Sequence, residues 1–229
     1  AEQEYLPGIC CLGFCYEAGI GTQQDLARAA ELYAQAAGQG YAPAQCNLGF
    51  FYFEGIGCPV NPEKAVELFR RAAAQRFPRA LDLLGSCYYD GFGVKQDFHT
   101  AADYYAQAAA LDYMPAFCNL GLCYELGLGV ERDPKHAVDC YRKAARSGLA
   151  QAQCNLAVCY LNGIGVEQDP ASAGRLLRAA CRSDHPRAIE LLAHCLQQGL
   201  GCERDEAAAV ELLEHGAKRG FAAASCSLG

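Results

Sequence analysis

No stretch of the 229-residue chain reaches the roughly 20 apolar residues that span a bilayer, because Gln, Asp, Glu, Arg and Gly interrupt every apolar run. The chain therefore reads as a soluble piece with no membrane insertion. It also lacks any excess of positive charge: Lys+Arg 19 against Asp+Glu 26 leave a formal charge of −7, with no block of like charge. A nucleic-acid partner would need a basic footprint to displace counterions, so that class is disfavoured, and an anionic membrane surface with it. There is no Cys-x-x-Cys, so a zinc-type ligand spacing is missing and no metal is expected. No Ser is followed three residues later by Lys, which argues against the nucleophile–lysine pair of serine β-lactamases and penicillin-binding enzymes. The first residue is Ala and no charged-then-apolar leader follows, so the compartment cannot be read from the N-terminus. A cytoplasmic setting is preferred to a secreted or periplasmic one.

What the chain does have is a strict period. Leu12, Leu48, Leu84, Leu120, Leu156, Leu192 and Leu228 stand 36 residues apart with no insertion. Two glycine columns keep the same phase, Gly19 to Gly199 and Gly21 to Gly201. With 52% hydrophobic residues to fill a core, such a repeat predicts one all-α solenoid of about six helix-turn-helix units rather than two globular domains. The expected units are about 8–43, 44–79, 80–115, 116–151, 152–187 and 188–223 in one domain over 1–229, with a partial helix at 224–229. Both ends fall inside helices without polar capping repeats, which is expected of a segment of a longer array.

Each period parses into two helices. In the first, Ala44, Leu48 and Tyr52 recur at spacings of four, and Gly55 stops the helix where a left-handed residue is wanted. The second opens on a column of cap residues, Asp25, Asn61, Asp97, Asp133, Asp169 and Asp205, with Pro62, Pro134 and Pro170 in the first turn. It carries Ala29, Ala65, Ala101, Ala137, Ala173 and Ala209, then Tyr33, Phe69, Tyr105, Tyr141, Leu177 and Leu213. The Gly-x-Gly pairs are read as turns and not as phosphate loops, because they follow a helix in an all-helical period. No cofactor is expected.

The segment "AFCNLGLCYELGLGVERDPKHAVDCYRKAARSG" (Ala116 to Gly148) resembles the Sel-1-like repeat, a relative of the tetratricopeptide repeat. Many columns agree over the whole chain. Departures are few: Ala157 and Ala193 replace the Gly after Leu, Cys58, Cys202 and Thr22 replace a Val, and Gly216 replaces an Ala. The resemblance implies a non-catalytic protein–protein interaction scaffold or adaptor with a protein or peptide partner. The alternative it implies is a cysteine-rich repeat enzyme with β-lactam-binding or hydrolytic activity. That branch joins cysteines eight apart, and here Ile189 stands eight after Cys181, so the pair is missing.

By analogy with tetratricopeptide repeats, a partner segment would lie in a concave groove lined by the first helices. The groove columns are then one before and two after the anchor Leu, with the later positions adding Glu54 and, in the same character, Glu17, Asp90 and Glu125. The candidate residues are Asn47, Phe50, Glu54, Ser86, Asn119, Leu122, Asn155, Val158 and His194. Asn can both donate to and accept from an extended backbone, and the apolar column offers pockets. Equally, the asparagines can serve local backbone or loop groups. The acidic residues favour a neutral or basic peptide.

Ten of the 15 cysteines fall in two columns five apart, about 140° around a helix, so members of one helix cannot bridge. Across neighbouring repeats, Cys15 with Cys46, Cys87 with Cys118, Cys123 with Cys154 and Cys195 with Cys226 are candidate thiol pairs at a spacing of 31. Reduced, packed thiols are the favoured reading and inter-repeat disulfides the other. No cysteine is singled out as a nucleophile.

Overall fold

The computed structural model describes residues 5–221. Twelve helices and no strand are present among the described residues. The first helices of the pairs are α1 (Leu6–Ala18), α3 (Ala42–Glu54), α5 (Pro78–Asp90), α7 (Met114–Leu126), α9 (Ala150–Asn162) and α11 (Pro186–Gln198). The second helices are α2 (Leu26–Gly38), α4 (Pro62–Ala73), α6 (Phe98–Ala109), α8 (Pro134–Arg146), α10 (Pro170–Cys181) and α12 (Glu206–Lys218). The fold is thus an α/α solenoid of six helix pairs. Contacts group them into two compact units, Ala1–Tyr113 and Met114–Gly229, of three pairs each, where the sequence expectation is one domain. The partial helix expected at 224–229 lies outside the described residues.

Local chemistry explains why each helix starts and stops where it does. Every second helix is capped by the expected side chain: Asp25 accepts from Arg28 N, Asn61 from Lys64 N, Asp169 from Ser172 N and Asp205 from Ala208 N, at 2.9–3.0 Å. Asp97 and Asp133 each take two such N–H groups. Each cap is worth about 1 kcal/mol. The first glycine of a pair ends the first helix in the left-handed region, as at Gly163 (φ 70°), whose N–H bonds to Cys159 O. The second glycine has a further reason to lack a side chain: a Cβ on Gly165 would lie 2.1 Å from Pro134 O, so the turn of one repeat presses on the start of the previous repeat's second helix.

Within a pair, the helices meet through a notch. A methyl group on Gly121 would stand 2.6 Å from the Tyr141 ring, on Gly49 2.7 Å from Phe69, and on Gly85 2.7 Å from Tyr105. An aromatic side chain of the second helix therefore lies directly on the backbone of the first. Where the second-helix residue is the smaller Leu177 or Leu213, the first helix carries Ala157 or Ala193 in the same buried cluster. The two departures from the repeat pattern at 157 and 193 are compensations of volume.

Candidate partner-binding site on the first helices

The asparagine column lies on the first helices, and two of its members are engaged by both neighbours. In α3, Asn47 Oδ1 accepts from Arg79 Nη1 at 2.8 Å, while its Nδ2 donates toward Cys10 Sγ at 3.8 Å. In α9, Asn155 Oδ1 accepts from Arg187 Nη1 at 2.8 Å and from Gln151 Nε2 at 3.2 Å, and Nδ2 donates to Cys118 Sγ at 3.4 Å. Each carboxamide thus bridges a cysteine one repeat back and an arginine one repeat on. Asn47 and Asn155 are thus held mainly by side chains of the adjacent repeats, and not by the local backbone or loop groups that were the other expectation. Asn119 is half-buried in the same column.

Arg79 and Arg187 were not anticipated, yet the signal is in the sequence. Position 32 after the column holds Arg79 for Asn47, Gln151 for Asn119 and Arg187 for Asn155, but Pro115 for Leu83. Arg79 also lies 4.9 Å from the centroid of Phe50, placing a cation over that ring. Positive charge thereby enters a face whose carboxylates alone were visible in the groove columns.

Two of those carboxylates are already in use. Glu17 accepts from Tyr33 Oη at 2.5 Å and Glu125 from Tyr141 Oη at 2.8 Å. Both phenols are raised above the ordinary tyrosine value, by burial first and then by the glutamate beside them. The columns co-vary for this reason: Glu17 and Glu125 serve Tyr33 and Tyr141, Phe53 stands by Phe69, and Leu161 shares a cluster with Leu177. Ser86 likewise faces inward, accepting from Tyr105 Oη at 3.2 Å. Glu54 and His194 are exposed, and Phe50, Leu122 and Val158 are half-buried.

Among the described residues no two cysteines are joined in a disulfide. The stack sets the two columns together in the opposite sense to the expected pairs. Cys46 shares a core cluster with Cys87, Cys118 with Cys159, and Cys154 with Cys195, each 41 apart, whereas Cys15 is in neither cluster that holds Cys10 or Cys46. Likewise Cys123 is absent from the cluster of Cys154. Within a unit, cysteines of the first column face the next repeat, and those of the other column face the previous one. Cys87 and Cys118 belong to different units, and Cys226 lies outside the described residues.

One cysteine does meet a histidine. Cys154 Sγ lies 3.7 Å from His185 Nδ1, and His185 Nε2 is 3.1 Å from Gln151 Oε1, the layout of a nucleophile, base and orienting group. Its electrostatics oppose that role. Cys154 has no exposed surface and burial pushes its thiol up to about 11, while burial and Arg187 lower His185. A thiolate is the reactive form, and this site disfavours it. Cys46, Cys87 and Cys159 are pushed up by burial to about 12.

The Sel1 repeat family profile matches six times, at 12–41, 42–77, 78–113, 116–149, 150–185 and 186–221. The chain belongs to the Sel1 repeat family. Four of the six matches begin at the first residue of a first helix, two residues before the expected start of the unit, while those at 12 and 116 begin inside α1 and α7. Sel1 repeats are typically protein-interaction scaffolds and generally non-catalytic, which implies protein partners. Among solved structures, a Sel1 repeat protein from Oxalobacter formigenes is 31% identical, with a TM-score of 0.85 over 92% of this chain and 84% of that one. A protective antigen of uropathogenic Escherichia coli with the same fold is 36% identical, with a TM-score of 0.76 over 100% of this chain and 49% of that one. The Sel1 array here thus spans about half the length of that antigen. An immunity protein of Pseudomonas aeruginosa, 20% identical over 93% of this chain and 81% of that one, shares the fold with a TM-score of 0.64. No curated protein gives a match. Among the described residues, no helix is long and apolar enough to cross a membrane.

Proposed function

We propose that this Sel1 array is a non-catalytic adaptor that holds a partner segment along the exposed face of its first helices. The observation that supports the reading best is the column two after the anchor leucine: Phe50 in the first unit and Leu122 and Val158 in the second are all part-exposed, and Leu126 of α7 is exposed one turn after Leu122. Partly exposed apolar side chains beside fixed polar groups suit a partner's side chains. Arg79 and Arg187, each already oriented by an asparagine, keep further N–H groups for a carboxylate. The preferred partner therefore presents apolar side chains with an acidic residue between them, in place of the neutral or basic peptide read from the glutamates alone. Asn47, Asn119 and Asn155 act in this scheme by holding the face in shape.

The test is photo-crosslinking from position 122 in the native cell, compared with crosslinking from position 175 on a second helix. A discrete protein adduct at 122 that disappears in Val158→Asp, with helicity unchanged by circular dichroism, is the expected result. Adducts at 175 alone, or an adduct at 122 indifferent to Val158→Asp, would sink the proposal. The β-lactam alternative predicts turnover of a small molecule; burial holds Cys154 and Cys159 as thiols and not as the thiolate that a cysteine nucleophile needs.

A further inference from the structure

Helices α8, α9 and α10 of the second unit enclose an open cleft of about 470 Å³. Leu156, Tyr160 and Leu176 form its apolar lining, and Arg142, Arg146 and Arg175 stand around it. We propose that this cleft binds an aryl phosphate: a phosphoryl dianion on an aromatic body.

Comparison with the position 72 residues earlier, in the first unit, shows that the cleft is not a by-product of the repeat. There Tyr104 occupies the place of Leu176 and stacks on Tyr88, with centroids 5.7 Å apart and planes 18° from parallel. Arg70, in the place of Arg142, donates to Tyr88 Oη at 2.9 Å. Ala74 and Asp103 stand where the second unit has Arg146 and Arg175. The space is left as two lesser hollows of about 290 and 360 Å³, both bordered by Arg70. Three positions therefore make the difference: Leu176 leaves room and exposes the Tyr160 ring, while Arg146 and Arg175 raise the cleft from one guanidinium to three.

Those guanidiniums are available. Among the described residues Arg146 has no hydrogen-bond or ion-pair partner. Arg142 pairs with Asp139 at 2.6 Å in an exposed i,i+3 contact, of the kind worth about 0–1 kcal/mol and readily exchanged. Arg175 Nη2 donates to Ser172 Oγ at 2.7 Å, and that hydroxyl turns to the Asp169 carboxylate. Asp139 and Asp169 are the acidic groups beside the cleft, and neither lines it. Three fork-shaped donors outnumber the two oxygens of a carboxylate but match the three terminal oxygens of a phosphomonoester. The leucines and the tyrosine ring suit an aromatic body, and the volume falls within the range of small-ligand sites.

Phenyl phosphate, titrated by calorimetry into the whole chain, is the probe. Saturable 1:1 binding is expected, weakened about tenfold or more by Arg175→Asp and by Leu176→Tyr, which reproduce the side chains at 103 and 104, and by the solvent-facing Arg146→Ala. Thermal unfolding of each variant establishes that the fold is kept. Absence of saturable binding, equal affinity for benzoate or for inorganic phosphate, or indifference to all three substitutions would overturn the proposal. A phosphotyrosine heptapeptide binding more tightly than phenyl phosphate identifies a protein-borne ligand; equal or weaker binding identifies a free aryl phosphate.

Discussion

The fourth and fifth helix pairs, α7 with α8 and α9 with α10, have the same backbone and solve the same packing problem differently. In the fourth, Gly121 removes a side chain so that the Tyr141 ring can lie on the helix, and Glu125 takes the phenol proton's hydrogen bond. In the fifth, Ala157 meets Leu177, and Leu161 stands where the glutamate was. The difference teaches that the repeat keeps volume and polar satisfaction, and the residue types follow as linked sets. A change in one column is tolerated when its partners change with it.

The sharpest way to break this comparison is Gly121→Ala. Its methyl group would meet Tyr141, and overpacking of this kind costs about 1–3 kcal/mol. Ala157→Gly, the reverse change in the fifth pair, should cost about 1 kcal/mol through helix propensity. Urea denaturation measures both, and no loss, or a gain, in Gly121→Ala would mean that the notch is not tight. Adding Tyr141→Leu to Gly121→Ala should recover part of the loss.

An effect of the same size is expected at the buried phenol. Tyr141→Phe leaves Glu125 without its donor and should cost about 1.5–3 kcal/mol, as for hydrogen bonds to charged groups, whereas Tyr105→Phe, facing the neutral Ser86, should cost about 0.5–1.5 kcal/mol. If the two variants unfold at the same urea concentration, the carboxylate adds nothing.

A dependence on pH follows from the same contrast. Folding holds Tyr141 protonated above its usual value of 10.0, and the Cys159 thiol above 9.0, up to about 12. In each case the folded state keeps the proton that the unfolded chain gives up, so the stabilisation is complete below about pH 9 and is lost as pH rises toward 12. Denaturation at pH 8, 9.5 and 10.5 should show falling stability, with a shallower slope in Tyr141→Phe/Cys159→Ala. An unchanged slope in that variant would refute the assignment.

The smallest effect is a gain. Arg76 holds φ 58° at the turn after α4, where the corresponding residue after α8 is Gly148 at φ 87°. Arg76→Gly should stabilise by about 1 kcal/mol, the cost of a left-handed non-glycine residue, read as a rise in the urea midpoint.

Much of this was legible in the sequence. The cap column, the prolines and the first glycine column satisfy demands of the local backbone, so they keep phase with the helix ends and can be read without a fold. The functional face was legible only in part. Phe50, Leu122 and Val158 stand part-exposed, but Asn47 and Asn155 turned out to be held by cysteines and arginines of adjacent repeats. A partner 32 or 37 residues away appears in the sequence only as two columns changing together, and that pattern has to be sought across repeats.

By itself the sequence determined the 36-residue period, the two helices in each period and the places where they begin and end, because these depend on groups a few residues apart. Only the tertiary structure decided which side of a first helix meets the next repeat. Two cysteine columns 140° apart allow neighbours at 31 or at 41, and one direction of stacking brings Cys46 to the cluster of Cys87 and leaves Cys15 outside it. The same stacking sets Arg79 on Asn47, because that contact depends on how one helix pair lies on the last.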